Sequence, residues 1–158
     1  MTQRSILSRL LPSSIDNNFP GRKLALWAFY CLTALTIWRS QHHIFAADGG
    51  AQSIATIPLD NYTAGGAQSV VGVFALWGLA QLGMAIIMLL ACLRYKALIP
   101  LLWLFVLLEY TGRYVILKFK PIETLGTAPG ETGNIVLPFV ALAMLCLSLW
   151  PPKRSTPS

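Results

Sequence analysis

The sequence predicts an all-α fold, a four-transmembrane-helix bundle with both termini on one side of the membrane. Three observations predict it. Of 158 residues, 55% are apolar and only 11% charged, against about 45–50% and about 25% in soluble domains. Four long apolar stretches follow one another, each closed by basic residues. Those basic residues are shared unequally between the two sides of the expected membrane. The composition excludes a soluble enzyme, a disordered regulator and a typical nucleic-acid-binding domain, so no nucleic acid is expected as a partner. The first partner is the lipid bilayer.

The first stretch, Leu24–Trp38, lies between Arg22-Lys23 and Arg39. Its 15 residues fall short of the roughly 20 that cross a ~30 Å core. Arg39 can snorkel and the helix can run on through Ile44-Phe45, so we place this span at about 22–45. The second, Val70–Leu93, is closed by Arg94-Tyr95-Lys96 and carries one strongly polar side chain, Gln81. The third, Ala97–Leu117, contains Glu109 and Arg113. The fourth, Ile135–Trp150, ends at Pro151-Pro152-Lys153-Arg154. The last three spans are placed at about 68–93, 97–117 and 133–150, with outer loops at 46–67 and 118–132. Lipid offers backbone groups no water, so each span must be helical. The short Arg94–Lys96 connection makes the second and third spans antiparallel neighbours. Pro100 and Pro138 are expected in the first turns of their helices, where proline is tolerated.

Orientation follows from the basic residues. With the N-terminus inside, Arg4, Arg9, Arg22, Lys23, Arg94, Lys96, Lys153 and Arg154 face the cytoplasm against Asp16. Arg39, Lys118 and Lys120 face outward with Asp48, Asp60, Glu123 and Glu131. The formal +6 thus reads as an orientation signal. The expected location is a bacterial inner membrane, multi-pass, with residues 1–20 and 153–158 as cytoplasmic tails. Cleavage of the first span as a signal peptide is not expected, because Phe45 stands where a small residue is wanted before Ala46-Ala47. The apolar patch Ile6-Leu7, Leu10-Leu11 reads as a frayed tail in preference to an interfacial helix.

Cys31, Cys92 and Cys146 all lie in spans without a Cys-x-x-Cys pair, and read as packing residues. The first outer loop is long, and its Ile54–Leu59 run is apolar enough to lie on the bundle or on lipid. Asn61-Tyr62-Thr63 is a glycosylation sequon that matters only in a eukaryotic secretory pathway. Pro129-Gly130 suits a type II turn.

Glu109 and Arg113 are four residues apart, so they share a helix face in the favourable acid-to-base order. Intramembrane charges face a bundle interior or a wet cavity and mark function by default; a structural ion pair weighs equally here. Gln81 shares a face with the small residues Gly78 and Ala85, which allow close helix approach. It lies within a few Å of the depth of Glu109 at about 1.5 Å per residue. We therefore expect Gln81 and Glu109 to face each other or one cavity. Tyr110 and Tyr114 add hydroxyls to this intramembrane cluster, Tyr114 serving equally well as an interfacial anchor. Asn134 lies near the depth of Arg113 and reads first as a helix N-cap. His42 or His43 with Asp48 is a metal candidate, although adjacent histidines on a helix diverge by about 100°, poor geometry for one ion. No cofactor and no catalytic set is expected.

With both termini inside and Gly112-Arg113 on the third helix, the plan resembles small DoxX-like bacterial membrane proteins. That resemblance implies a small inner-membrane protein. Three functions compete. The preferred one is a non-catalytic accessory or structural subunit that meets a protein partner or a second copy of itself. The others are a small oligomeric transporter or proton- or ion-conducting component using the Glu-Arg pair, and a membrane-embedded enzyme acting on a lipid or quinone.

Overall fold

The structure, a computed structural model, describes residues 5–151. The tail expected over 153–158 lies outside the described residues, as do Arg4, Lys153 and Arg154. The described residues are helical and contain no strand: α1 Ile6–Leu10, α2 Lys23–Phe45, α3 Ala64–Leu93, α4 Ile99–Phe119 and α5 Pro129–Leu149. Single 3-10 turns precede α3 (Leu59–Asn61) and α4 (Lys96–Leu98). Three helices are long and apolar enough to cross a membrane: Ala64–Leu93, the Lys96–Phe119 segment containing α4, and Pro129–Leu149. Helix α2 has 23 residues, which is length enough. Its last quarter, Arg39-Ser40-Gln41-His42-His43, is too polar for the same description.

Helix α2 satisfies its hydroxyls itself, whereas Arg39 and His43 find their partners outside the helix, in Tyr110 and Gly49. Thr33 donates to the Phe29 carbonyl and Thr36 to the Leu32 carbonyl, each at 2.8 Å. Ser40 donates to the Thr36 carbonyl. Hydroxyls bonded back to the preceding turn leave no unmet donor facing an apolar neighbour.

Two helix pairs make the bundle. Helix α2 packs along α3, and α4 packs along α5. Contacts of α2 with α5 join the pairs, whereas α3 and α4 meet only sparsely despite their short connection. The core lies among Phe29, Leu32, Met88, Ile99, Leu102, Trp103, Val106, Tyr110 and Leu145. Trp103 packs edge-on against Phe29, with ring centroids 5.5 Å apart. Its indole N–H donates to the Ala25 carbonyl at 3.2 Å, so the buried ring leaves its polar atom satisfied.

One end of the bundle gathers the N-terminal segment, the α3–α4 turn and the end of α5. We call it the near end. Here Arg9 donates to the Leu149 carbonyl at 2.6 Å, the Arg22 N–H to that of Leu147 at 3.0 Å, and the Ala97 N–H to that of Asp16 at 3.2 Å. The frayed-tail expectation is therefore corrected. Residues 6–10 are helical, Ser5 caps them by accepting from the Ser8 N–H at 3.2 Å, and Arg9 ties the segment down.

At the far end, the loop 46–63 is ordered around Asp48. Its carboxylate accepts from the N–H groups of Gly50 at 2.9 Å, Gln52 at 3.1 Å and Ser53 at 2.6 Å. Ala51, Ile57 and Leu59 are buried against Ala67, Val70, Val71 and Phe74 of α3. This small core explains why α3 starts at Ala64, earlier than its apolar run. The helix is 30 residues long, about 45 Å, and one face of its first turns packs on the loop. Thr63 of the sequon is the N-cap of α3, accepting from the Gly66 N–H at 3.2 Å.

Three local expectations are corrected in α5. Pro129-Gly130 is not a type II turn; Pro129 is in the helix's first turn, behind the N-cap Ala128, where its missing N–H costs nothing. Asn134 is not an N-cap but lies inside the helix. Pro138 is likewise interior and leaves the carbonyl four residues earlier without its helical donor. Pro100 does occupy the first turn of α4.

Candidate functional site

The sparse meeting of α3 with α4 leaves a cleft backed by α2. It holds a cavity of about 300 Å³, lined by Leu32, Thr36 and Arg39 of α2, by Gln81, Met84 and Met88 of α3, and by Leu102, Phe105, Val106, Leu108, Glu109, Tyr110 and Arg113 of α4. Its size sits at the lower end of the range for small-molecule pockets.

Helical spacing places each polar wall. On α3, Gly78, Gln81, Ala85 and Met88 are all buried, a stripe of steps of three and four that faces α2. A Cβ on Gly78 would lie 2.7 Å from the Cβ of His43, so only glycine lets the two backbones come this close. Gln81 follows one turn later and reaches the cavity. On α4, Glu109, Tyr110 and Arg113 fall within one turn. Glu109 and Arg113 form an ion pair, and Tyr110 is 7% exposed. On α2, Leu32, Thr36 and Arg39 are spaced so that all three face the same side.

The cluster is strongly coupled. Arg39 donates to the Tyr110 hydroxyl at 3.1 Å. The Arg113 guanidinium lies 4.9 Å from the ring centroids of both Trp77 and Tyr110. The Arg39 guanidinium is 5.7 Å from the Trp77 centroid. Trp77 is thus flanked by two cations at distances where the ring quadrupole attracts them. Arg113–Glu109 is the one ion pair among the described residues. Two guanidiniums against one carboxylate give the cluster a formal excess of one positive charge. The amide nitrogen of Gln81 is buried with no hydrogen-bond partner, and Gln81 is 7% exposed. A buried donor without a partner carries its full desolvation penalty.

Gln81, Glu109, Tyr110 and Arg113 are therefore brought to one cavity. Tyr114 and Asn134 are not among its lining residues. Tyr114 is 43% exposed, with the Lys118 ammonium 5.1 Å from its ring centroid. Sequence reasoning missed Arg39 and Trp77. Arg39 was expected to snorkel toward water, but it turns inward to Tyr110. Its spacing of three and seven from Thr36 and Leu32 was the available signal.

The histidines lie apart from the cavity, beneath the far-end loop. His43 is buried between Phe74 and Trp77, with its ring centroid 4.8 Å from that of Trp77. Its Nδ1–H donates to the Gly49 carbonyl at 2.7 Å. His42 stacks on Trp38 with ring centroids 5.8 Å apart. No group of three His, Cys, Asp or Glu side chains able to hold a metal occurs among the described residues. His43 anchors the turn through Gly49 and Gly50, whose φ angles are +60° and +75°. Comparison with protein-family models, with curated proteins and with solved structures finds no match.

Proposed function

We propose that the chain is a four-span protein of a bacterial inner membrane, with both termini cytoplasmic, acting as a non-catalytic accessory subunit that holds a small ligand in the α2–α3–α4 cavity. The observation that carries the ligand is the buried, unpartnered amide of Gln81 in that cavity. A site whose polar groups are incompletely satisfied in the free protein gains most when a ligand supplies the missing partner. The non-catalytic reading is supported by the commitment of Glu109 to Arg113 and of the Tyr110 hydroxyl to Arg39. The crossing of α2 is supported by its self-satisfied hydroxyls and the inward turn of Arg39. The basic near end, with Arg9, Arg22, Lys23, Arg94 and Lys96, supports the orientation. The likeness to small DoxX-like proteins, on Gly112-Arg113, stays within this reading, as does assembly with a protein partner or a second copy.

Native mass spectrometry of the chain released from mild detergent tests the ligand. A retained small molecule is expected on the wild type and is lost with Gln81→Leu; the bare chain mass under the gentlest conditions overturns the reading. Copurification in stoichiometric amount tests the partner. Conduction is a second reading, favoured by the 44% exposure of the Glu109 side chain. For an accessory subunit, Glu109→Gln leaves proton or ion flux in liposomes unchanged; abolished flux would select conduction.

A further inference from the structure

The cavity is polar at one end and apolar at the other, and this polarity runs along the helices. Arg39 and Arg113 each lie six residues before the far ends of their helices, Phe45 and Phe119, about 9 Å below them. Gln81 lies 12 residues before Leu93, and Met88 only five. Leu102 is three residues into α4. The cations thus occupy the far half, the Gln81 amide and the Glu109 carboxylate, which is paired with Arg113, the middle, and an apolar floor the near half. The side wall between α3 and α4 is made of Met84, Phe105 and Leu108, which are 37%, 48% and 57% exposed. That wall faces the surroundings of the bundle, which for a membrane span is lipid.

We propose that the cleft binds the anionic head of one phospholipid of the far-end leaflet, with the phosphate on Arg39 and Gln81 and the acyl chains leaving between α3 and α4. This deepens the ligand-binding reading and rests on it. The excess guanidinium calls for an anion. In a low-dielectric setting an unneutralised Arg39 is costly, and an Arg–phosphate contact is among the stronger hydrogen-bonded pairs. The Gln81 amide adds a neutral donor. A cavity of about 300 Å³ is about ten waters in volume, so it holds a head and the first part of a chain, not a whole two-chain lipid. The order from cations to apolar floor matches a lipid whose head points to the far side and whose chains point to the bilayer centre.

The test uses the full chain in detergent, stripped of lipid, with native mass spectrometry during titration. Synthetic phosphatidylglycerol is expected to bind more tightly than zwitterionic phosphatidylcholine by roughly tenfold or more, the scale of one hydrogen bond to a charged group. Arg39→Leu lowers phosphatidylglycerol binding by a similar factor. Leu108→Trp, which fills the side opening and leaves every polar residue in place, lowers it too, and serves if Arg39→Leu fails to fold. Equal binding of the two lipids, or phosphatidylglycerol binding unmoved by Leu108→Trp, overturns the proposal. Complete displacement by millimolar inorganic phosphate also overturns it, since the site would then take a free anion. A neutral amphiphile bound through Gln81 in place of phosphatidylglycerol overturns only the anionic head and leaves the proposed function standing. Absence of any bound molecule overturns both.

Discussion

Glu109 and Arg113 each lose a partner when the other is removed. Alanine at either position leaves the other without its counter-ion, whereas alanine at both removes the two together and leaves only the Arg39 charge that the cleft already carries in excess. The double variant is therefore expected to be less destabilised than the sum of the singles, with a coupling of about 0.5–3 kcal/mol, read from thermal unfolding in detergent. Arg113 also faces Trp77 and Tyr110, so its single variant loses more than Glu109→Ala. Asp48 makes a second prediction, this one in pH. Burial alone would raise its pKa, but the N–H groups of Ser53, Gly50 and Gln52 and the Ser53 hydroxyl outweigh it and hold the pKa at about 2, against 3.8 ordinarily. A depressed folded pKa means that the ionised carboxyl contributes fully above about pH 4 and loses that contribution as pH falls toward about 2. Asp48→Asn should be less stable than the wild type at neutral pH, with the gap closing over that window. A gap independent of pH would show that the carboxylate's charge does not matter. The intramembrane cluster was partly legible from the chain, because Gln81, Glu109 and Arg113 are rare residue types in apolar runs and their depths follow from counting. Arg39 was not. Whether an arginine near a helix end turns to water or inward is decided by what lies across from it, here Tyr110 and Trp77 from two other helices.

Among the helices, apolar runs located α3 and α4 closely, since a continuous run of this length has no other stable conformation in lipid. The start of α5 was not legible. Pro129-Gly130 suits a turn and a helix start alike, and residues 129–132 are exposed, so no burial pattern marks the start. The reach of α2 through five polar residues draws on partners for Ser40 in the preceding turn, for Arg39 on α4 and for His43 in the far-end loop, which composition does not display. The small-residue face of α3 was legible, and its consequence is sharp at Gly78. Gly78→Ala places a Cβ within 2.7 Å of that of His43, so α2 and α3 must separate. Overpacking of this kind costs about 1–3 kcal/mol and should lower the unfolding temperature in detergent. Because Gln81 sits one turn away, the same variant should also weaken ligand retention. Gly83→Ala is the control, since nothing lies within 4 Å of a Cβ there and alanine is the better helix former, so it should lower neither measurement.

Across the whole molecule, the chain closes on itself at the near end. A Cβ on Gly21 would fall 2.3 Å from the Ser148 carbonyl oxygen, a backbone atom that cannot rotate away. Gly21→Val should therefore detach the segment before α2 from the end of α5 and expose residues 5–22 to protease, with the four long helices still formed by circular dichroism. Unchanged proteolysis would show that the near end tolerates separation. The far end is closed differently. The Leu125 N–H donates to the Thr56 carbonyl at 2.9 Å, and the Thr56 hydroxyl to the Gly126 carbonyl at 3.0 Å, so the loop before α3 is clasped to the loop after α4. Between this clasp and the short turn Arg94–Leu98, the helices α3 and α4 are pinned together at top and bottom and stand apart in the middle. The gap is then a window in a fixed frame. If the proposed lipid enters here, it needs no hinge to swing and no helix to unwind, so its exchange should follow the sideways arrival of lipid at the sill, and stiffening either crosspiece should leave that rate unchanged.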